Sequence, residues 1–443
     1  MEAPTASMRH RRRARTLAGG VAALVAAAAA AVALVPSGGP APALANLWID
    51  RDGGACARQE TATEYVDADA CGGLDAAYRA AGAGDVVMVR AGRYGDQTVA
   101  PRPSADAPPV SIHAQPGAAI RFGALTLNGS HLTLSGTGAD VTATALTHDG
   151  GSTAPVQQVT VEDIAVDHGG EPGMAAFLRS VDGITWRGVD VCCNSDGSLV
   201  LNDGTNSEGA FGVSNWTIDR SRFHDSVLPA GSGNHTECIY AQGVVSLTIR
   251  RSHFYRCAVF DIFLTMSEFS PEGSGVTLEN NLFEAPTTFA SQCCSAYSVL
   301  LRGGEPDDGN SPAIDDWDIR YNTFEGGLAL GVPAANPIGP GGLRVVGNAL
   351  LAGATCREDA TYTHNVYGGE TCSGEAEVAS TAAQIKAGMV GPTRCCDAGN
   401  DYRLKDGSVL VDRGDPADHP KVDARGKRAA GSAPDAGMDE LGG

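Results

Sequence analysis

Residues 216–223 read WTIDRSRF, from Trp216 to Phe223. The same phrase returns as LTIRRSHF from Leu247 to Phe254, VTLENNLF from Val276 to Phe283 and WDIRYNTF from Trp317 to Phe324. Weaker copies start at Val159, Ile184 and Leu343. Each begins with alternating apolar and polar residues, the pattern of a strand with one buried face. A polar pair follows (Asn280-Asn281, Tyr321-Asn322, Gly347-Asn348) and predicts a tight bend, because Asn tolerates left-handed backbone and bonds nearby main chain. The lone aromatic then opens a second strand and points inward. After a variable loop a third strand closes the unit: SLVL from Ser198, CIYA from Cys238, DIFL from Asp261, SVLL from Ser298 and GLAL from Gly327. A recurring unit with loops of unequal length is the signature of a solenoid.

Three short strands per coil, stacked in register, make a parallel β-helix. Its Phe residues should pile up inside, and its Asn side chains should stack at the bend. Leu74 to Ala81 (LDAAYRAA) predicts a short helix that caps one open end, and the polar tail from Asp401 is expected to strap down the other. The chain divides into a leader (1–45) and one domain (46–443). Within that domain 46–150 hold the cap and first coils, 151–370 the main repeats and 371–443 the closing segment.

The leader has a basic start (Arg9, Arg11, Arg12, Arg13, Arg15), an apolar run from Leu17 to Val35, and Ala43-Leu44-Ala45 before Asn46. That is an export signal, and a secreted protein is expected. The formal net charge is −20, and loss of the leader makes it more negative. Such a surface repels nucleic acid and anionic membrane. It should also repel an anionic polysaccharide unless cations bridge the two. The 12 cysteines suit disulfides in an exported chain. Cys56–Cys71 and Cys356–Cys372 are the expected pairs. The doublets Cys192-Cys193, Cys293-Cys294 and Cys395-Cys396 lack zinc-site spacing, and their partners stay open, as do those of Cys238 and Cys257.

The run LDAAYRAAGAGDVVMVRAGRYGDQTV from Leu74 resembles the opening of pectate-lyase-like, right-handed parallel β-helix proteins, and Asp401 to Glu440 is similar to the closing segment of their secreted members. The resemblance implies an all-β, right-handed parallel β-helix of three-stranded coils with a short N-terminal cap helix. It leaves the reaction open, because this fold hosts lyases, hydrolases, epimerases and proteins with no reaction. In the family's enzymes the substrate groove runs along the outside of the third strand. There His235, Glu237 and Asp261 form the candidate catalytic cluster, with Tyr240, Arg302 and Arg179 as candidate substrate contacts. Glu237 and Asp261 fall on adjacent coils, where one carboxylate would raise the other's pKa. Such a pair could serve glycoside hydrolysis or hold Ca²⁺, with His235 or an Arg taking the proton in β-elimination. Tyr240 could stack on a sugar ring, and Arg302 or Arg179 could grip a sugar carboxylate. With only Lys386, Lys405, Lys421 and Lys427, all beyond the main repeats, lyase branches that use a Lys base are disfavoured.

The expected partner is an extracellular polysaccharide, bound by a monomer without nucleic acid or, once the leader is gone, membrane. A polysaccharide lyase is favoured over a glycoside hydrolase. A non-catalytic carbohydrate-binding or adhesion module is the alternative. Whether metal binds is left open, with Ca²⁺ the candidate.

Overall fold

Strands with one apolar face need cover for that face, and here each coil closes on itself to provide it. The computed structural model describes residues 43–441, apart from 103–107, 152–153, 203–211, 235, 266–272, 286–296, 303–313, 332–335 and 393–399. The expected leader up to Pro42, His235, and the doublets Cys293-Cys294 and Cys395-Cys396 lie outside the described residues. Ala45, the last residue of that leader, is buried and bridged to Thr63, so the folded body includes it.

The chain forms a right-handed parallel β-helix. The first strands of the coils stack into a 12-stranded sheet running from Leu47–Ile49 to Thr361–Thr363. Second and third strands stack into two further ladders, and every pairing in the coils is parallel. The register is that of the repeat: Ile218 pairs Ile249, Ile249 pairs Leu278, and Leu278 pairs Ile319. Inside, Phe223, Phe254, Phe283 and Phe324 are stacked with ring centroids 4.8–4.9 Å apart. Trp186 continues the pile onto Phe223.

The bend follows one recipe on successive coils. Its first residue takes left-handed backbone, whether it is Gly188, Arg220, Arg251, Asn280, Tyr321 or Gly347. Its second residue turns inward and bonds to the next coil. Asn281, Asn322, Asn348 and Asn365 form a side-chain ladder in which each amide oxygen accepts from the preceding Asn at 2.9–3.0 Å. Ser252 and Ser221 extend it toward the N-terminus. All four Asn are fully buried, so the ladder satisfies groups that could not reach water.

The helix α1 (Leu74–Ala80) buries Leu74, Ala77 and Tyr78 against the first coils, and the Tyr78 hydroxyl donates to Ser130 O. The strand Leu47–Ile49, which carries no repeat signal, adds an edge to the first sheet. The expected pairs Cys56–Cys71 and Cys356–Cys372 are bonded. Cys192 is bonded to Cys193, and Cys238 to Cys257.

The closing segment departs from expectation. It runs along the outside of the later coils instead of only strapping their end. The Asn280 amide donates to Val422 O, Gly437 N to Gly347 O, and Met438 N to Thr323 Oγ1. The cause is a change on the outer face of the second strands, where Leu282, Ala349, Leu351 and Val366 are apolar. They bury against Ile385 of the short helix α2 (Ala382–Ala387) and against Met389, Tyr402, Leu404 and Met438. Within this segment burial pushes the Glu440 carboxyl up to about 8, with repulsion from Asp435 adding to it. A raised acid is kept protonated by the fold, so this part of the stability is intact below its unfolded value and is lost as pH rises through about 8. Glu440→Gln should therefore exceed the parent by about 2 kcal/mol in urea unfolding at alkaline pH, a gap that closes near pH ~4.

Candidate active site

Among the described residues the tail's contacts fall on the later coils, and on the earlier ones the outward residues of the second strand are ionisable. Because Phe223 and Phe254 point in, their flanking residues point out. One outward column is Asp190, Arg222, His253 and Leu282; the next is Cys192, His224, Tyr255 and Glu284. Sequence reasoning placed the aromatics and missed these flanks. The signal was in the same phrases: RFHD at Arg222 and HFYR at His253 surround the inward Phe with chemistry, where later coils have apolar residues.

The His224 ring stacks on Tyr255 at 4.5 Å between centroids. Its Nδ1 lies 2.6 Å from Asp225 Oδ2 and its Nε2 2.9 Å from Asp190 Oδ1. Arg222 pairs with Asp190, and Arg256 holds both Asp225 oxygens at 2.5 Å. Burial alone would raise both carboxyls. The His224 hydrogen bond and Arg222 charge reverse this at Asp190, and Arg256 and His224 do so at Asp225, so both are held below the usual range. Arg256 also lies over the Tyr255 ring, 4.7 Å from its centroid.

On the other side His253 packs 4.6 Å from Tyr255, and its Nε2 lies 2.9 Å from Glu284 Oε1. Glu284 is buried and also accepts from the Asn400 amide of the tail at 3.1 Å. With Nε2 turned to that carboxylate, Nδ1 is the ring nitrogen left to take a proton. Burial raises the Tyr255 phenol, Asp190 adds to this, and Arg222 and Arg256 oppose it. A raised phenol stays protonated at neutral pH, so its hydroxyl is available as a donor. The cluster thus sets an oriented imidazole beside a phenol, with two arginines at its rim. Arg222 is 58% exposed at its side chain and His253 35%.

The residues expected on the third strand are placed differently. Glu237 is fully buried, and its Oε2 accepts from the Ser198 hydroxyl at 2.8 Å. Asp261 is fully buried instead of lining a groove: it precedes the strand Ile262–Thr265, whose first three residues are buried as well, and its N–H donates to Ser298 O of the next coil. Burial pushes its carboxyl well above the usual range. Glu284 and Glu325 push the same way, against the Ser298 hydroxyl. Ser298 is buried too. Tyr240 does face out, half-buried, stacked on Phe263 at 5.1 Å. Arg179 is engaged by Asp149 through two contacts of 3.0 and 2.6 Å. Arg302 ends the strand Tyr297–Arg302 in register with Thr265, and its side chain lies outside the described residues.

Ca²⁺ takes six or more hard oxygen ligands. Among the described residues the group of three close candidate ligands is Asp167, Cys192 and Cys193, whose sulfurs are bonded to each other. Glu237 and Asp261 are both buried, so these two present no open carboxylate pair to a hard cation.

No protein-family model and no curated protein matches the sequence. Among solved structures the chain is similar to the pectate lyase Pel9A, with 13% identity and a TM-score of 0.49 over 90% of this chain and 97% of that one. It is similar to the A-module of the mannuronan C-5 epimerase AlgE6 of Azotobacter vinelandii, with 14% identity and a TM-score of 0.34 over 69% and 89%. A rhamnogalacturonan lyase shares 12% identity and a TM-score of 0.35 over 82% and 95%. The parallel ladders of stacked coils are the architecture that the sequence resemblance implied.

Proposed function

We propose that the protein cleaves an extracellular acidic polysaccharide by β-elimination, on the outer face of the second strands. The observation that supports this reading is the Glu284–His253 pair beside Tyr255, rimmed by Arg222 and Arg256. A uronate carboxylate taken by the remaining donors of Arg222 and Arg256, which Asp190 and Asp225 hold in place, is partly neutralised, which acidifies the adjacent C5 proton. His253 Nδ1 takes that proton. The C5–H electron pair becomes the C4=C5 double bond as the C4–O bond breaks, and the Tyr255 hydroxyl protonates the leaving oxygen. A hydrolase would need two carboxyl groups free to act at the scissile bond; Glu237 and Asp261 are buried, and Asp190 and Asp225 are held by Arg222, Arg256 and His224.

The test is incubation with polyuronates, sulfated glycans and neutral glucans. Ultraviolet absorbance from unsaturated uronate ends is expected with a polyuronate and absent with glucans. Reducing ends without that absorbance would mean hydrolysis, and retention of an unaltered glycan would mean a binding module; either outcome defeats the elimination reading. Because arginines supply the neutralising charge, activity should persist within about twofold after EDTA. Abolition by EDTA with rescue by Ca²⁺ would place the neutralising charge on a metal.

A further inference from the structure

At the bend between first and second strands, four guanidinium groups gather around one carboxylate. Asp219 is 3% exposed at its side chain. Arg251 chelates it through Nη2, 2.7 Å from each oxygen. Arg250 Nε lies 3.4 Å away, Arg220 Nε 3.7 Å and Arg187 Nε 3.8 Å. Arg187 also pairs with Glu162, while Glu279, the next acid in the column, is taken by Arg320 at 2.6 Å. Four arginines face Asp219 and Glu162, with Asp163 one bend earlier held by Thr137, so positive charge stays in excess on a chain whose net charge is −20. Arg250 Nε is shut off from water and makes no hydrogen bond. Backbone geometry did not select these residues. Arg220 and Arg251 stand at left-handed positions that Gly188, Asn280 and Gly347 fill on neighbouring coils.

The later coils show what such a column accepts. There Arg320 and Arg344 meet Asp418, which the tail lays over them from outside. The tail's contacts with the bend begin at Asn280, and among the described residues none of its carboxylates reaches Arg187, Arg220, Arg250 or Arg251. The same bend leads through Ser221 into Arg222, so the arginine group borders the candidate active site.

We infer that Arg187, Arg220, Arg250 and Arg251 form a binding subsite for an anionic group of a glycan, a carboxylate or a sulfate, in the place Asp418 takes on later coils. The inference rests on the reading of the substrate as an acidic glycan and adds where its flanking charge is held. It also revises the expectation that an acidic surface repels such a chain, since the repulsion is relieved locally at this bend.

Equilibrium binding to the full chain tests it, with oligosaccharides of a polyuronate and of a sulfated galactan, a neutral glucan and inorganic sulfate as probes. R187Q/R220Q keeps the Arg251–Asp219 pair and should fold. It should bind the preferred acidic oligosaccharide about tenfold more weakly than the parent, with a flatter dependence on salt. Whichever acidic oligosaccharide shows that loss identifies the anion as carboxylate or sulfate. R220E, altering a side chain that is 57% exposed, gives the same reading should the double variant melt early. Unchanged affinity and salt dependence in both variants would overturn the inference, as would binding of inorganic sulfate as tight as that of the oligosaccharides. Loss of product formation with arginine-dependent binding intact would defeat the elimination chemistry alone and leave the subsite standing.

Discussion

His253→Ala should lower the rate of β-elimination on a polyuronate by about a thousandfold, and Tyr255→Phe by about a hundredfold, with KM changed little in either. Both side chains act on protons that move only in the transition state, so their loss falls on kcat. Arg222→Ala should show the opposite split, with KM raised more than kcat is lowered, because its charge also holds the ground-state carboxylate. Glu284 touches no substrate in this scheme and acts by positioning His253. Glu284→Gln should keep the contact to Asn400, cost about tenfold in kcat and displace the acid limb of the pH–rate profile, which a purely structural role would leave in place. Steady-state kinetics across pH on all four variants gives these values. Full activity in His253→Ala would remove the proposed base.

Asn322→Ala should destabilise the coils by about 4 kcal/mol, the largest stability loss expected of a single polar side chain here. The Asn322 amide donates to Leu278 O at 2.8 Å and to Asn348 Oδ1 at 3.0 Å, and its oxygen accepts from both nitrogens of Asn281 at 2.9 Å. Truncation leaves several of these groups buried without partners, and no water can enter without opening the bend. Tyr321, just before it, is held by the tail through its hydroxyl, which accepts from Asp415 N at 2.8 Å. The variant should therefore loosen the closing segment as well. Urea unfolding, with hydrogen exchange at residues 415–440, reads both effects. A loss below about 1 kcal/mol would mean that the ladder adds little to the coils.

The fold was legible because its signal repeats. Strand alternation, the Asn at the bend and the inward Phe each recur, and a period seen many times outweighs noise in any one copy. The cap helix was legible from LDAAYRAA alone. The site was hard to read for the opposite reason. Arg222, His224, His253 and Tyr255 differ from coil to coil, so no period marks them, and they flank residues whose own role is packing. The alternation that named Phe254 as inward also placed His253 and Tyr255 outward, and that step was available from the sequence. What alternation could not supply was cover. Asp261, which alternation places outward, is buried, and so is Ser298. The course of the tail was likewise hidden, since it depends on scattered apolar residues such as Leu282 and Leu351 that match no repeat.

A crystal structure of Tyr255→Phe with a polyuronate oligosaccharide bound tests most directly whether the second-strand face is where the protein works. The account predicts a sugar ring beside residue 255 with its carboxylate between Arg222 and Arg256, and a neighbouring anionic group at Arg220. An oligosaccharide lying instead along Phe177, Tyr240 and Leu300 on the third strand, with the second-strand face bare, would contradict it.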